Sequence, residues 1–187
     1  FRRVENVGPK VSHELIRSAA IAIALSMFAM LVYIWFRFEW QFSLASIIAL
    51  VHDVLITLGI FSILSLEVNL SIVAALLTIV GYSLNDTVVI FDRIRENLRK
   101  YSKIPIGEIS DISTNETLSR TVITSLTTLL ALLSIYFFGG EILKGFSFAM
   151  IIGVIIGTYS SIFVATPILN YSKVSQKSVL KGEDKNN

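Results

Sequence analysis

Five long apolar runs constrain what this chain can become: residues 15–36, 41–64, 68–91, 118–138 and 143–169. Each holds about 20 residues or more, enough for an α-helix to cross a hydrocarbon core about 30 Å thick. In lipid, every backbone N–H and C=O must be paired within the protein, so only helices and closed barrels span. Barrels need short alternating strands, whereas these runs are continuous. The sequence therefore reads as an all-α integral membrane chain with a bundle of five spanning helices. Its charged fraction of 16% agrees, because a soluble domain carries about 25%.

The connections between the first three runs are tight. Glu39-Trp40-Gln41 and Glu67-Val68-Asn69 leave almost no loop, which predicts an antiparallel hairpin series. The one long polar connection, 92–116, opens with Asp92-Arg93-Ile94-Arg95-Glu96-Asn97-Leu98-Arg99-Lys100. Its charges share helical faces, and Ile94 and Leu98 sit four apart. A short amphipathic helix at the membrane surface is expected there, as a positive anchor or as a contact for a partner or anionic lipid. Residues 1–14 read as a linker from an upstream domain, since the chain opens on Phe1 with a polar stretch. Residues 15–170 form the bundle, and 171–187 a polar tail.

Lysine and arginine set the orientation. With the N-terminus outside, eleven of the sixteen fall inside: Arg37, Arg93, Arg95, Arg99, Lys100, Lys103, Arg120, Lys173, Lys177, Lys181 and Lys185. The tail and the 92–116 connection are then cytoplasmic and the N-terminus periplasmic. Trp35, Trp40, Tyr33 and Phe36 lie at the first cytoplasmic boundary, as an aromatic belt does.

Few charged groups enter the apolar runs, and each is expensive there, at roughly 2.5–3.5 kcal/mol on insertion scales. Asp86, in Gly81-Tyr82-Ser83-Leu84-Asn85-Asp86-Thr87, lies about 7 Å inward from the end of its run. Arg120 starts the next, antiparallel run, so the two are expected at similar depth as an ion pair. That pair is either a static bridge or a protonation switch. Burial raises a carboxyl pKa and a guanidinium lowers it, so such a pair can take and release a proton. Asn85, Thr87, Thr121 and Thr124 are candidate hydrogen-bond partners. His52 and Asp53 form a second polar pair mid-run, an accessory relay or a packing site; neighbours on a helix point about 100° apart and need other partners to act together. The hydroxyls between Ser113 and Thr128 suggest a polar face along a hydrated path or an interface. Gly153 and Gly157 have the small-xxx-small spacing of close helix contacts, and Gly59 and Gly81 are further candidates. Pro167 predicts a kink or stop.

Enzyme signals are poor. His13-Glu14 lacks the second histidine of a zinc-protease helix, no phosphate-binding glycine loop is present, and the chain has no cysteine. No enzyme activity, cofactor or metal is expected. A net charge of +2 gives no reason to expect nucleic acid.

Several motifs together resemble the SecF branch of the SecD/SecF family, which belongs to the resistance-nodulation-division superfamily. They are Val7-Gly8-Pro9-Lys10-Val11-Ser12, Trp35-Phe36-Arg37-Phe38-Glu39-Trp40, His52-Asp53-Val54, Gly81 through Val89 and Phe91-Asp92-Arg93-Ile94-Arg95-Glu96-Asn97. Ser119-Arg120-Thr121 with Thr124-Ser125, and Gly157 through Ala165 with Pro167, extend the likeness to about Leu169. The resemblance implies a bacterial inner-membrane accessory of protein export. It implies SecD, the SecY/SecE/SecG channel, exported chains and the lipid membrane as partners, with the proton motive force as energy source. The chain would be helices two to six of six, with Asp86 and Arg120 at the proton-coupling positions. It would be either a separate subunit or the second half of a fused SecD–SecF chain. A proton-driven exporter of small molecules or lipids on the same architecture is the alternative, and a purely structural assembly subunit a third reading.

Overall fold

The computed structural model describes residues 9–101 and 104–172. Residues 1–8 of the expected linker, Lys103 and residues 173–187 of the expected tail lie outside them. The described chain is helical: α1 (Pro9–Arg37), α2 (Trp40–Ile63), α3 (Leu70–Lys100), α4 (Ile106–Phe138) and α5 (Glu141–Ser160). A π-helical turn, Ser161–Ala165, joins α5 to α6 (Thr166–Tyr171), and the three segments make one rod of membrane length. Five rods are thus long and apolar enough to cross a membrane. Each expected run lies along one of them, and only residues 64, 68 and 69 fall outside, in the α2–α3 connection.

The rods pack antiparallel, which the ionic and polar contacts at their ends make plain. Arg37 at the end of α1 pairs with Asp92 on α3 at 3.1 Å, and Arg93 on α3 pairs with Glu116 near the start of α4. Ser110 on α4 donates to Asn170 on α6 at 2.9 Å. All these contacts lie at one end of the bundle, hereafter the charged end. At the opposite end the described residues hold turns and one exposed pair within α5, Glu141–Lys144. Asn69 caps α3 there by accepting from the Ile72 N–H at 3.2 Å, and Gly140 supplies the positive φ, 78°, that turns α4 into α5.

The tightest corner is α1–α2, where two residues reverse the chain. Phe38 drives into the core against Phe42 and Phe91, and the Phe42 and Phe91 rings meet edge to face at 5.1 Å. Arg37 and Arg95 both lie 5.2 Å over the Phe38 ring. Arg95 also reaches Glu39 at 3.6 Å and donates to the Arg37 carbonyl at 3.1 Å. Glu39 and Arg95 keep only 10% and 11% of their side chains exposed, so this ion pair is largely sheltered from solvent screening. Corner and helix are locked together.

The structure departs from expectation at the charged end. Where the sequence suggests a separate amphipathic helix along the surface, α3 runs on unbroken to Lys100, with Ile94 and Leu98 buried. α4 likewise begins at Ile106, so the 92–116 connection reduces to residues 101–105. At 1.5 Å per residue the 31 residues of α3 reach about 46 Å, well beyond a hydrocarbon core. The sequence signal ended where hydrophobicity ended, but tertiary packing carries the helix further.

α3 is the hub, touching α1, α2, α4 and α5, and its largest contact is with α5. Gly153 and Gly157 account for that contact. A Cβ on Gly153 would drive into the Ile79 side chain, and one on Gly157 would sit 3.0 Å from the Ser83 Cβ. Gly59 and Gly81 meet nothing within 4 Å, so the expectation of close approach fails at both. Pro167 falls in the first turn of α6, where its missing N–H is tolerated, directly after the π turn. Gly153→Val is therefore expected to destabilise the bundle by about 1–3 kcal/mol through overpacking. Gly59→Ala should be neutral or slightly stabilising. Thermal unfolding of both variants in detergent checks the contrast.

Candidate functional site

Asp86 lies on the inner face of α3 and is 3% exposed. It sits one turn after Tyr82, and its Oδ2 is buried without a hydrogen-bond partner. The Tyr82 hydroxyl and the Thr121 hydroxyl on α4 are buried and unpartnered as well. Arg120 is near enough for its charge to act on Asp86, yet no ion pair joins them among the described residues. The direct bridge expected from the sequence is thus open in this conformation. Arg120 instead sits exposed at an open cleft of about 360 Å³ between α3 and α4, lined also by Val89, Arg93, Glu96 and Glu116.

The proposed helpers of Asp86 divide. Asn85 is on the outer surface of α3. Thr124 donates to the carbonyls of Arg120 and Thr121 on its own helix, both at 3.0 Å. Thr87 bonds sideways, to the Ser161 hydroxyl at 3.0 Å and to the Ser83 carbonyl at 3.2 Å. The wider hydroxyl face of α4 is mostly spent on its own backbone too: Thr117, Thr127 and Thr128 bond carbonyls three or four residues back. Such back-bonding lets Ser and Thr sit in a lipid-facing helix without a partner elsewhere. Among the described residues only Ser113, bonded to Asn97, and Ser125, 2.7 Å from Thr158, reach another helix through that face.

At the charged end of the cleft, α3 and α4 are tied by a network the sequence did not announce. Arg93 Nε donates to Glu116 at 2.6 Å and its terminal nitrogen to Glu96 at 2.5 Å. Asn97 Nδ2 donates to Glu116 at 2.7 Å and to Ser113 at 2.9 Å. Glu116 thereby takes donors from two successive turns of α3. This clamp fixes the spacing of α3 and α4 one turn from Arg120.

The second polar pair is better built than expected. His52 Nδ1 lies 3.0 Å from Asp53 Oδ1, so neighbours on one helix do meet here. The further partners they needed are Ser83 on α3 and Ser160 on α5, whose hydroxyls both donate to Asp53 Oδ2, at 2.5 and 2.8 Å. These serines carried no signal as isolated residues. Their place opposite an intramembrane acid is what marks them.

Comparison with known proteins follows the same lines. Residues 1–175 match the family model described as protein export membrane protein SecD/SecF, C-terminal. The chain is 55% identical over 176 residues to the protein translocase subunit SecF of Cereibacter sphaeroides, covering 94% of this chain and 54% of that one. It is 57% identical over 169 residues to that of Rickettsia akari, covering 90% and 55%. It spans about half the length of these curated relatives. Among solved structures it is similar to SecDF, a translocon-associated membrane protein from Thermus thermophilus. The TM-score is 0.84 at 48% identity, over 89% of this chain and 23% of that one. The chain belongs to the SecD/SecF family of protein export membrane proteins, matching its C-terminal, membrane-embedded part.

Proposed function

We propose that this chain is the ion-coupling part of a multi-pass bacterial inner-membrane subunit which, with SecD, uses the proton motive force to promote protein export. The observation that carries the reading is Asp86: a buried carboxylate with an unpartnered oxygen, on the helix that contacts every other rod, within electrostatic reach of a guanidinium that lines an open cleft. Its likeness to SecF translocase subunits and to the translocon-associated SecDF supports a place beside the Sec channel. The subunit acts by coupling and not by covalent catalysis. Its charged end faces the cytoplasm, as the lysine and arginine bias suggests.

The mechanism follows from charge. A proton entering by way of the cleft neutralises Asp86 and removes its attraction for Arg120. α3 and α4 then adjust about the Arg93–Glu116 clamp, and because α3 touches all the other rods the adjustment reaches α1 and α5. One charge crossing 100 mV supplies about 2.3 kcal/mol, which biases a two-state element roughly fortyfold. A single proton thus shifts a balance and does not drive a large transition alone.

In the full-length protein, Asp86→Asn is expected to accumulate and assemble normally yet lose the gradient-stimulated fraction of export. Arg120→Gln should give the same loss. Export of a secretory protein by membrane vesicles, with and without a proton gradient, is the measurement. Undiminished gradient dependence in Asp86→Asn would overturn the assignment; loss of the protein itself would make the site structural.

A further inference from the structure

Asp53 is 1% exposed, near the middle of α2, and three helices close on its carboxylate. α3 presents Ser83 to Oδ2, with Tyr82 before it and Asp86 three residues beyond; α5 presents Ser160 to the same oxygen, with the half-exposed Tyr159 before it. α2 itself presents His52 to Oδ1. Among the described residues no lysine or arginine forms an ion pair with Asp53, and Arg120 acts on Asp86 instead. The backbone is shaped around this contact. Gly157 lets α5 approach until a Cβ there would stand 3.1 Å from the Ser83 hydroxyl. The π turn, a rare geometry that gathers at functional sites, begins directly after Ser160. Packing alone does not require a charge here, since neutral hydroxyls join helices at lower cost. The one titratable side chain bonded to Asp53 is the imidazole of His52, which can carry a proton on either ring nitrogen.

From these contacts we infer a second proton-binding centre at Asp53, with His52 exchanging its proton and Ser83 and Ser160 as positioning residues. It rests on the reading of this chain as a proton-coupled subunit. The His52 side chain is 28% exposed while Asp53 is enclosed, so the ring is the route in. A proton binds His52 Nε2, the Nδ1–H bond breaks, and that proton forms an O–H bond on Asp53 Oδ1. The ring is left neutral with its proton on Nε2, the carboxyl is neutral, and one proton has been gained. Nδ1 then accepts from the new O–H. Hydrogen bonds to a charged acceptor are about twice as strong as those to a neutral one, so Ser83 and Ser160 loosen their hold. Ser83 lies one turn from Thr87, which is bonded to Ser161. The loosening is thereby felt beside Asp86.

Infrared difference spectroscopy across pH, on the full-length protein reconstituted with its partner, tests the centre directly. In Asp86→Asn a carboxylic-acid band should still appear as pH falls. Adding Asp53→Asn should remove it, and adding Ser160→Ala should keep it at an altered frequency, because one donor to the carboxyl is gone. If the double variant fails to accumulate, Asp53→Asn alone should lack one band that the unaltered protein shows. A spectrum unchanged by Asp53→Asn overturns the proposal, since Asp53 then keeps one protonation state throughout. Should Asp86→Asn keep gradient-stimulated export while the Asp53 band persists, the assignment of Asp86 falls and the Asp53 centre stands.

Discussion

The close approach of α5 to α3 is the contact on which the rest of the bundle depends. Lipid tails are as apolar as the helix surfaces, so water expulsion gives little force between spanning helices; packing and hydrogen bonding must supply it. Gly153 and Gly157 bring the two backbones together. Only at that distance do Ser160 and Ser161 come within reach of Asp53, Ser83 and Thr87. Polar groups that would be liabilities in lipid become the ties between α2, α3 and α5. The same interior also holds the buried apolar side chains Leu76, Ile79 and Val154.

The two acids illustrate how environment divides similar residues. Asp53 accepts from two hydroxyls and touches a histidine, so its carboxylate is satisfied within the bundle. Asp86 keeps a buried oxygen without any donor and answers to a guanidinium across a gap. One carboxylate is fully engaged by its neighbours, and the other keeps an oxygen free of any donor among the described residues. Both lean on α3, through Ser83 in the first case and directly in the second, so neither can change without that helix registering it.

Much of this was legible in the sequence because a bilayer simplifies folding to a question of length and hydrophobicity. The five rods, the tight α1–α2 turn, the Gly153/Gly157 spacing and the isolation of Asp86 all follow from local pattern, whereas the α2–α3 connection, residues 64–69, is longer than the pattern suggests. What escaped were relations between distant residues. Ser83 and Ser160 stand 30 and 107 positions from Asp53, and nothing in a single apolar run says which serine faces an acid on another helix. The hydroxyl-rich start of α4 drew attention by its density, yet most of those groups bond their own backbone. The unbroken passage of α3 past Phe91 was hidden by its charges, which pattern alone assigns to a surface helix and which the structure shows paired across to α1, α2 and α4.

α1 shares little surface with its neighbours. Its contacts with the core run along one edge through Ile23, Met27, Met30 and Ile34 and end at the Phe38 corner, where Arg95 and Asp92 fasten it to α3. Such a helix behaves as a lever whose fulcrum is carried by the helix bearing Asp86. At 1.5 Å per residue its 29 residues extend about 43 Å. A tilt of about 5° at the corner therefore displaces the Pro9 end by roughly 4 Å. Small angular changes at the charged face become sizeable travel at the far one, with no rearrangement needed in between.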